Sequence, residues 1–220
     1  MRAIFLFIAR FLKNYNLYVV KSLSFYSKKS LLDANFDFVR YGSLELCANE
    51  IKLKNVRGNL AEVGVYKGNF SEKLNKLFPE RKLYLFDTFE GFDKRDILAE
   101  IMDNYSTGEQ NFSNTSVELV LSKMINKENC IVKKGFFPET TAGLEDSFCF
   151  VSLDADLYQP IYEGLHFFYP KLELGGYIFI HDFNNEGYKG AREAVVKFCA
   201  ELKIGYTPIP DNGGTAIISK

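Results

Sequence analysis

The sequence predicts an α/β fold: a doubly wound, seven-stranded sheet with an antiparallel last strand, behind an N-terminal helical extension. Three observations carry that expectation. The first is the pair VSLDADLY (Val151–Tyr158) and GGYIFIHDF (Gly175–Phe183), two apolar runs that each end in carboxylates or imidazole and read as buried parallel strands. Between them a helix-length apolar pattern runs through Tyr162, Leu165, Phe168 and Tyr169, which makes a βαβ unit. The second is the alternation of strand and helix along the rest of the chain, the mark of a doubly wound sheet. The third is a terminal hairpin, Tyr206–Pro208 and Ala216–Ser219 around Asp211–Gly214.

The elements follow in order. Residues 1–37 read as a helical or amphipathic extension and residues 38–220 as the α/β domain. The extension mixes aliphatic and aromatic residues with Arg2, Arg10, Lys13, Lys21, Lys28 and Lys29. Its apolar stretch Ala3–Ala9 falls far short of the roughly 20 residues a bilayer span needs, and no cleavage site follows it. Packing on the domain or on a second subunit is the first reading, and a basic amphipathic segment on an anionic membrane surface is the second. The apolar residues there suggest a homo-oligomer, and the chain as a whole reads as cytoplasmic.

A helix at Leu44–Leu53 leads into the first strand, Asn59–Val65, then a turn at Tyr66–Gly68 and a helix from Phe70 to Phe78. The second strand, Lys82–Phe86, runs into a polar stretch from Thr88 to Thr115, whose length suits a functional lid. A helix at Val117–Ile125, a strand at Cys130–Lys133, a short helix at Glu139–Leu144 and a strand at Phe148–Leu153 follow. After the Gly175–Asp182 strand comes a helix from Tyr188 to Leu202, then the hairpin.

With 47% apolar residues and a formal charge of −1, the composition excludes disorder and offers nucleic acid no electrostatic footprint. Cys47, Cys130, Cys149 and Cys199 are scattered without a CxxC and read as reduced and buried.

Two constellations carry chemistry. EVGVYKG (Glu62–Gly68) sits where a strand turns into a helix. It lacks the Gly-Lys-Ser/Thr ending of a P-loop, and the bulky Val65 and Tyr66 argue against the GxGxxG of a nicotinamide-dependent oxidoreductase. Glu62, together with Asp87 at the end of YLFD, where a carboxylate can accept from a ribose diol, suggests a nucleoside ligand without a pyrophosphate. The alternative is a structural turn with two surface acids.

The second constellation is Asp154, Asp156, His181 and Asp182, brought together at the carboxyl edge by a right-handed crossover between strands about 4.8 Å apart. Carboxylate oxygens suit a hard divalent cation, and a carboxylate left beside it could act as general base. His181 and Asp182 diverge on a pleated strand unless the chain is already turning. The alternative is that these acids cap following helices.

Six motifs, AEVGVYKGNF, YLFDTFEGF, KGFFPET, LDADLYQ, FFYPKLELGGYIFIHDF and GAREAV, occur in an order and spacing that resemble the macrocin O-methyltransferase family from Phe38 to the C-terminus. These are S-adenosylmethionine-dependent enzymes of Rossmann-like class I methyltransferase fold that methylate sugar hydroxyls of glycosides. The resemblance implies that Glu62, Gly64, Tyr66 and Gly68 lie beside the methionine of the cofactor. It implies that Asp87, with Thr88 next to it, binds the ribose, and that Gly135 and Phe136 border the adenine. It assigns Asp154, His181 and Asp182 to Mg2+ and Asp156 to the general base. His181 stands where the family usually has Asp, which could weaken Mg2+ binding or favour Mn2+, and Ala155 replaces a Gly.

The implied activity is metal-assisted O-methylation of a sugar hydroxyl, on an antibiotic or a cell-surface glycan. The rival readings are a catechol-type O-methyltransferase on a small aromatic diol and a non-catalytic S-adenosylmethionine-binding relative. Phe89, Phe92 and Tyr105 in the lid are candidate substrate contacts. Arg40 is open between a site role and a surface role, and His166 reads as a packed or half-exposed helix residue.

Overall fold

The computed structural model describes residues 7–8, 11–12, 24–25, 28–29 and 37–220. The chain divides into two compact units, Met1–Asp33 and Ala34–Lys220. In the first, helical residues occur at 7–8 and 11–12, and Ser24–Phe25 pairs antiparallel with Lys28–Lys29. The sequence readings of the extension, as packing helix or membrane-surface segment, otherwise lie outside the described residues. Among those residues, no helix is long and apolar enough to cross a membrane.

The second unit holds seven strands in one sheet. In chain order the elements are α1 (Phe38–Leu53), β1 (Asn59–Val63), α2 (Asn69–Leu77), β2 (Leu83–Asp87), α3 (Lys94–Met102), α4 (Val117–Lys123), β3 (Cys130–Lys134), β4 (Phe148–Leu153), α5 (Tyr158–Lys171), β5 (Leu172–Ile180), α6 (Lys189–Leu202), β6 (Thr207–Ile209) and β7 (Thr215–Ser219). The sheet order is β3-β2-β1-β4-β5-β7-β6. β1 to β5 pair in parallel, and β7 is antiparallel to both β5 and β6. The last strand alone is reversed, as expected from the terminal hairpin.

β4 is buried along its whole length, as a central strand covered on both faces must be. Phe86, Phe137, Phe148 and Phe168 interlock beneath it with ring centroids 5.0–6.2 Å apart, so aromatic area supplies much of the driving force. All four cysteines are free; Cys149 and Cys199 are buried, whereas Cys47 and Cys130 are only half-buried.

Several boundaries differ from the sequence reading; the helix expected at Val117–Ile125 ends at Lys123, and the one expected at Glu139–Leu144 is a single 3-10 turn at Glu139–Thr141. The first strand stops at Val63 rather than Val65, because positive-φ Gly64 turns the chain. α1 begins at Phe38 rather than Leu44, because the Asp37 carboxylate caps it by accepting from the Arg40 N–H. β5 starts at Leu172, with a register shift where it meets β4, and ends at Ile180.

The Thr88–Thr115 stretch is not a bare loop. It contains α3, whose buried face carries acids, Asp96 and Glu100, while Leu98, Ile101 and Met102 are exposed. An inverted pattern of this kind defeats a search for apolar periodicity. Glu100 is buried because it accepts from the Tyr158 N–H (2.5 Å) and the Ser106 hydroxyl (2.8 Å), placing a carboxylate at the N-terminus of α5.

Candidate active site

The strand order reverses between β1 and β4, and ligands of open α/β sheets bind at the carboxyl ends around such a switch. A cavity of about 320 Å³ lies there. Glu62, Gly64, Tyr66, Asp87, Thr88, Gly135, Phe136, Asp154, Asp156, His181 and Asp182 all line it. Of the residues expected to serve the cofactor, the metal or the base, Gly68 is the one set back, at the N-cap of α2 with φ 72°.

The first wall is shaped by the backbone. Gly64 has φ 84° and donates its N–H to the Phe86 carbonyl (2.9 Å). A Cβ here would run into the Asp154 carbonyl, so this close crossing of the β1 and β4 ends requires glycine. At Gly68 a Cβ would lie 2.9 Å from the Val120 side chain. Tyr66 between them also has positive φ, 47°. Its N–H donates to Asp87 Oδ2 (2.8 Å), and the Phe89 N–H donates to Oδ1 (2.6 Å), so Asp87 is fixed by the loops on either side of it. Gly135 donates its N–H to the Asp87 carbonyl (3.0 Å). The Arg95 guanidinium of α3 lies 3.4 Å from the Phe136 ring centre.

Glu62 is 1% exposed and takes the Ser71 hydroxyl as donor. Burial pushes its carboxyl up to about 8.

The segment expected to act as a lid rests on this wall. The Thr115 hydroxyl donates to the Tyr66 carbonyl, and the Tyr66 hydroxyl donates to Asn114 Oδ1 (2.7 Å). Phe112 lies edge-on to Tyr66 and to Phe92, at 5.1 Å each. Of the three expected substrate contacts, Phe92 lines the cavity; Phe89 is buried away from it, and Tyr105 stacks on Tyr158 instead.

The second wall is shaped by side chains. β5 has ended at Ile180, and Asp182 has φ 57°, so the chain is already turning. His181 and Asp182 therefore converge: His181 Nδ1 lies 2.8 Å from Asp182 Oδ2 and 3.0 Å from Asp154 Oδ1. Asn185 Nδ2 donates to Asp182 Oδ1 (2.7 Å).

Burial opposes charge on Asp154, but Arg40 and His181 outweigh it and hold its carboxyl well below the usual range. Burial likewise opposes the imidazolium, yet Asp154 and Asp182 win and push His181 up to about 10. Asp156 (φ 60°) is raised well above an ordinary carboxylate, first by burial and then by the charges on Asp154 and Asp182. Asp154 and Asp182 offer two oxygens and His181, once its imidazolium has given up the proton, a nitrogen, all within 4.8 Å of one another, a donor set that suits a divalent ion of the Mg2+ or Mn2+ kind.

Sequence reasoning left Arg40 undecided and missed Asp96. Arg40 is 8% exposed, lines the cavity, and donates from Nη2 to Asp154 Oδ2 (2.9 Å). A legible signal was present: with Asp37 as cap, Arg40 falls in the first turn of α1, where the helix dipole disfavours a cation. Asp96 also lines the cavity, and burial pushes it up to about 7. His166 takes no part; it is exposed beside Glu201 (3.2 Å).

A sequence model of the macrocin O-methyltransferase (TylF) family matches residues 38–216. The chain is 23% identical over 163 residues to demethyldecarbamoylnovobiocin O-methyltransferase of Streptomyces niveus, a match covering 66% of this chain and 60% of that protein. It is 23% identical over 190 residues to 8-demethyl-8-(2,3-dimethoxy-α-L-rhamnosyl)-tetracenomycin-C 4′-O-methyltransferase of Streptomyces olivaceus, covering 81% and 71%. Among solved structures, the O-methyltransferase NovP superposes with a TM-score of 0.68 at 20% identity, over 83% of this chain and 80% of that one; this establishes a shared class I methyltransferase fold.

Proposed function

The chain belongs to the macrocin O-methyltransferase family, a family of S-adenosylmethionine-dependent enzymes, and from that premise we propose that it methylates a hydroxyl of a sugar or glycoside. The observation that carries this reading is a cavity whose wall joins the Asp87 loop system to the Asp154–Asp156–His181–Asp182 edge. A cofactor cradle and an acidic edge are thereby within one ligand's reach of each other. The tetracenomycin relative is named for 4′-O-methylation of a rhamnosyl compound, which favours a sugar as acceptor.

When bound, S-adenosylmethionine supplies a methyl group already activated by the sulfonium charge. Asp87, with Thr88 beside it, would accept from the ribose diol, and Gly135 and Phe136 would border the adenine. Glu62 and the Gly64–Tyr66–Gly68 loop would face the methionine end. The cavity would hold the acceptor oxygen in line with the methyl carbon, about 3 Å away, and its proton would leave as the C–O bond forms and the C–S bond breaks, with S-adenosylhomocysteine as the leaving group. Asp156 would take that proton. A carboxylate whose pKa has been raised is a stronger base once ionised, which suits an alcohol donor.

Asp154, His181 and Asp182 would hold Mg2+ or Mn2+, which when bound would supply a Lewis acid that lowers the pKa of a chelated acceptor hydroxyl. Phe92, Phe112 and the lid segment would keep water from the reacting atoms. We further read residues 1–37 as a separate extension that favours self-association of a cytoplasmic enzyme, which light scattering of the full chain would check.

The test is methyl transfer from labelled S-adenosylmethionine to a panel of glycosides and catechols, with Mg2+, with Mn2+ and with chelator. Label in a sugar hydroxyl, lost with chelator, is the expected result. Label only in catechols would replace the sugar reading with that of a catechol-type enzyme. Cofactor binding without any transfer would leave a non-catalytic relative.

A further inference from the structure

We propose that Arg40, on a helix ahead of the strand–helix repeat, binds the α-carboxylate of the cofactor's amino-acid end, with Glu62 across from it for the α-ammonium. This rests on the reading above that the cavity takes S-adenosylmethionine.

Arg40 is held in place from two ends of the chain. The Asp37 carboxylate accepts the Arg40 N–H through Oδ1 (3.0 Å) and the Asn212 N–H through Oδ2 (3.1 Å). The start of α1 is therefore tied to the turn between β6 and β7. The guanidinium lies 4.4 Å over the Phe70 ring, and Nη2 is bonded to Asp154. A guanidinium has five N–H donors. Here Nε is buried and has no acceptor, in a residue only 8% exposed that lines the cavity. Burying donors without acceptors is costly, so the arrangement calls for an anionic oxygen pair to complete it, the geometry a carboxylate offers to arginine.

The neighbours decide which anion. Glu62, 1% exposed, lines the same cavity on β1, and Asp154 lies at the end of β4. Asp154, ionised beside Arg40, already offsets the one cation and leaves little attraction for a phosphate dianion, whereas the ammonium of a zwitterion brought up to Glu62 would favour its ionised form and match the pair in sign at both ends.

Sheet order agrees with this orientation. Glu62 is on β1 and Asp154 follows β4, with Arg40 of α1 bonded to Asp154, whereas Asp87 ends β2 and Gly135 and Phe136 follow β3. An adenosine toward β2 and β3 therefore places its amino-acid end toward Arg40. The bond from Arg40 to Asp154 would then make cofactor occupancy hold that carboxylate in position.

The test is calorimetric binding of three ligands: S-adenosylhomocysteine, its decarboxylated analogue, and 5′-methylthioadenosine, which lacks the whole amino-acid end. Each is titrated into the wild type, Arg40→Gln and Arg40→Lys, with thermal melts alongside. Arg40→Gln is expected to weaken S-adenosylhomocysteine about 10- to 100-fold, the scale of a lost charge-assisted pair, while the other two ligands change by less than about twofold. Arg40→Lys keeps the charge and is expected to lose affinity for S-adenosylhomocysteine alone, so the comparison survives if the glutamine variant misfolds.

Equal weakening of all three ligands, or none of any, would overturn the assignment of Arg40 and leave the cofactor reading intact. Failure of the wild type to bind any of the three would overturn both.

Discussion

The β1–β2–β3 side of the cavity and the β4–β5 side are built by different means. On the first, the backbone does most of the placing: Gly64, Tyr66, Gly68 and Gly135 all adopt positive φ, and Asp87 is fixed by two main-chain N–H groups. On the second, side chains place one another across long stretches of sequence, Arg40 to Asp154 over 114 residues and His181 to both Asp154 and Asp182. The first kind of site is stiff, and its failures should appear as lost folding or lost cofactor. The second is held by charge; failures at its strand-end acids should appear in rate, whereas Arg40, which bonds to Asp154 from α1, should report in cofactor affinity.

The largest difference should come from Asp156→Asn. If Asp156 takes the acceptor proton, kcat should fall about 100- to 10,000-fold, while cofactor affinity stays nearly constant; steady-state kinetics beside calorimetry separates the two. Gly64→Ala tests the opposite side. Its Cβ meets the Asp154 carbonyl at positive φ, so stability should drop by about 3 kcal/mol, read as a lower midpoint in urea. A stable alanine variant with only kinetic defects would erase the distinction between the two walls.

How much of this was legible follows the same division. The turn glycines, Asp87 and the strand-end acids stand in short local motifs, where a few adjacent residues dictate a backbone path. Arg40 could not be placed by spacing, because its partner lies on another strand and the cap at Asp37 that lengthens α1 was passed over. α3 was hidden for a different reason: it buries Asp96 and Glu100 and exposes Leu98, Ile101 and Met102, so its apolar residues mark the wrong face. The convergence of His181 and Asp182 depended on where β5 ends, and strand ends are set by the tertiary turn rather than by composition. The carboxyl-edge location of all these groups did follow from the βαβ unit alone.

A smaller effect concerns pH. Burial raises Glu62 from an ordinary 4.5 to about 8, so between those values the folded chain holds a proton that the unfolded chain has released. The stabilising contribution is complete below about 4.5 and is lost as pH rises toward about 8. Its steepest slope is about 1.4 kcal/mol per pH unit. Glu62→Gln should flatten that slope in urea titrations at pH 5.5 and 7.5; an unchanged slope would mean that Glu62 is not the group titrating. The smallest effect is expected for Arg95→Ala. It removes the contact with Phe136 and exposed pairs with Asp93 and Glu139, and should raise KM for the cofactor a few-fold without touching kcat.

The most direct measurement is calorimetric titration of S-adenosylmethionine into the wild type, Asp87→Ala and Asp156→Asn. Micromolar binding that is lost in Asp87→Ala and kept in Asp156→Asn is the expected result, because one residue holds the nucleoside and the other only receives a proton. Binding that survives Asp87→Ala, or that is absent from the wild type, would contradict a cofactor seat at the β1–β2–β3 wall.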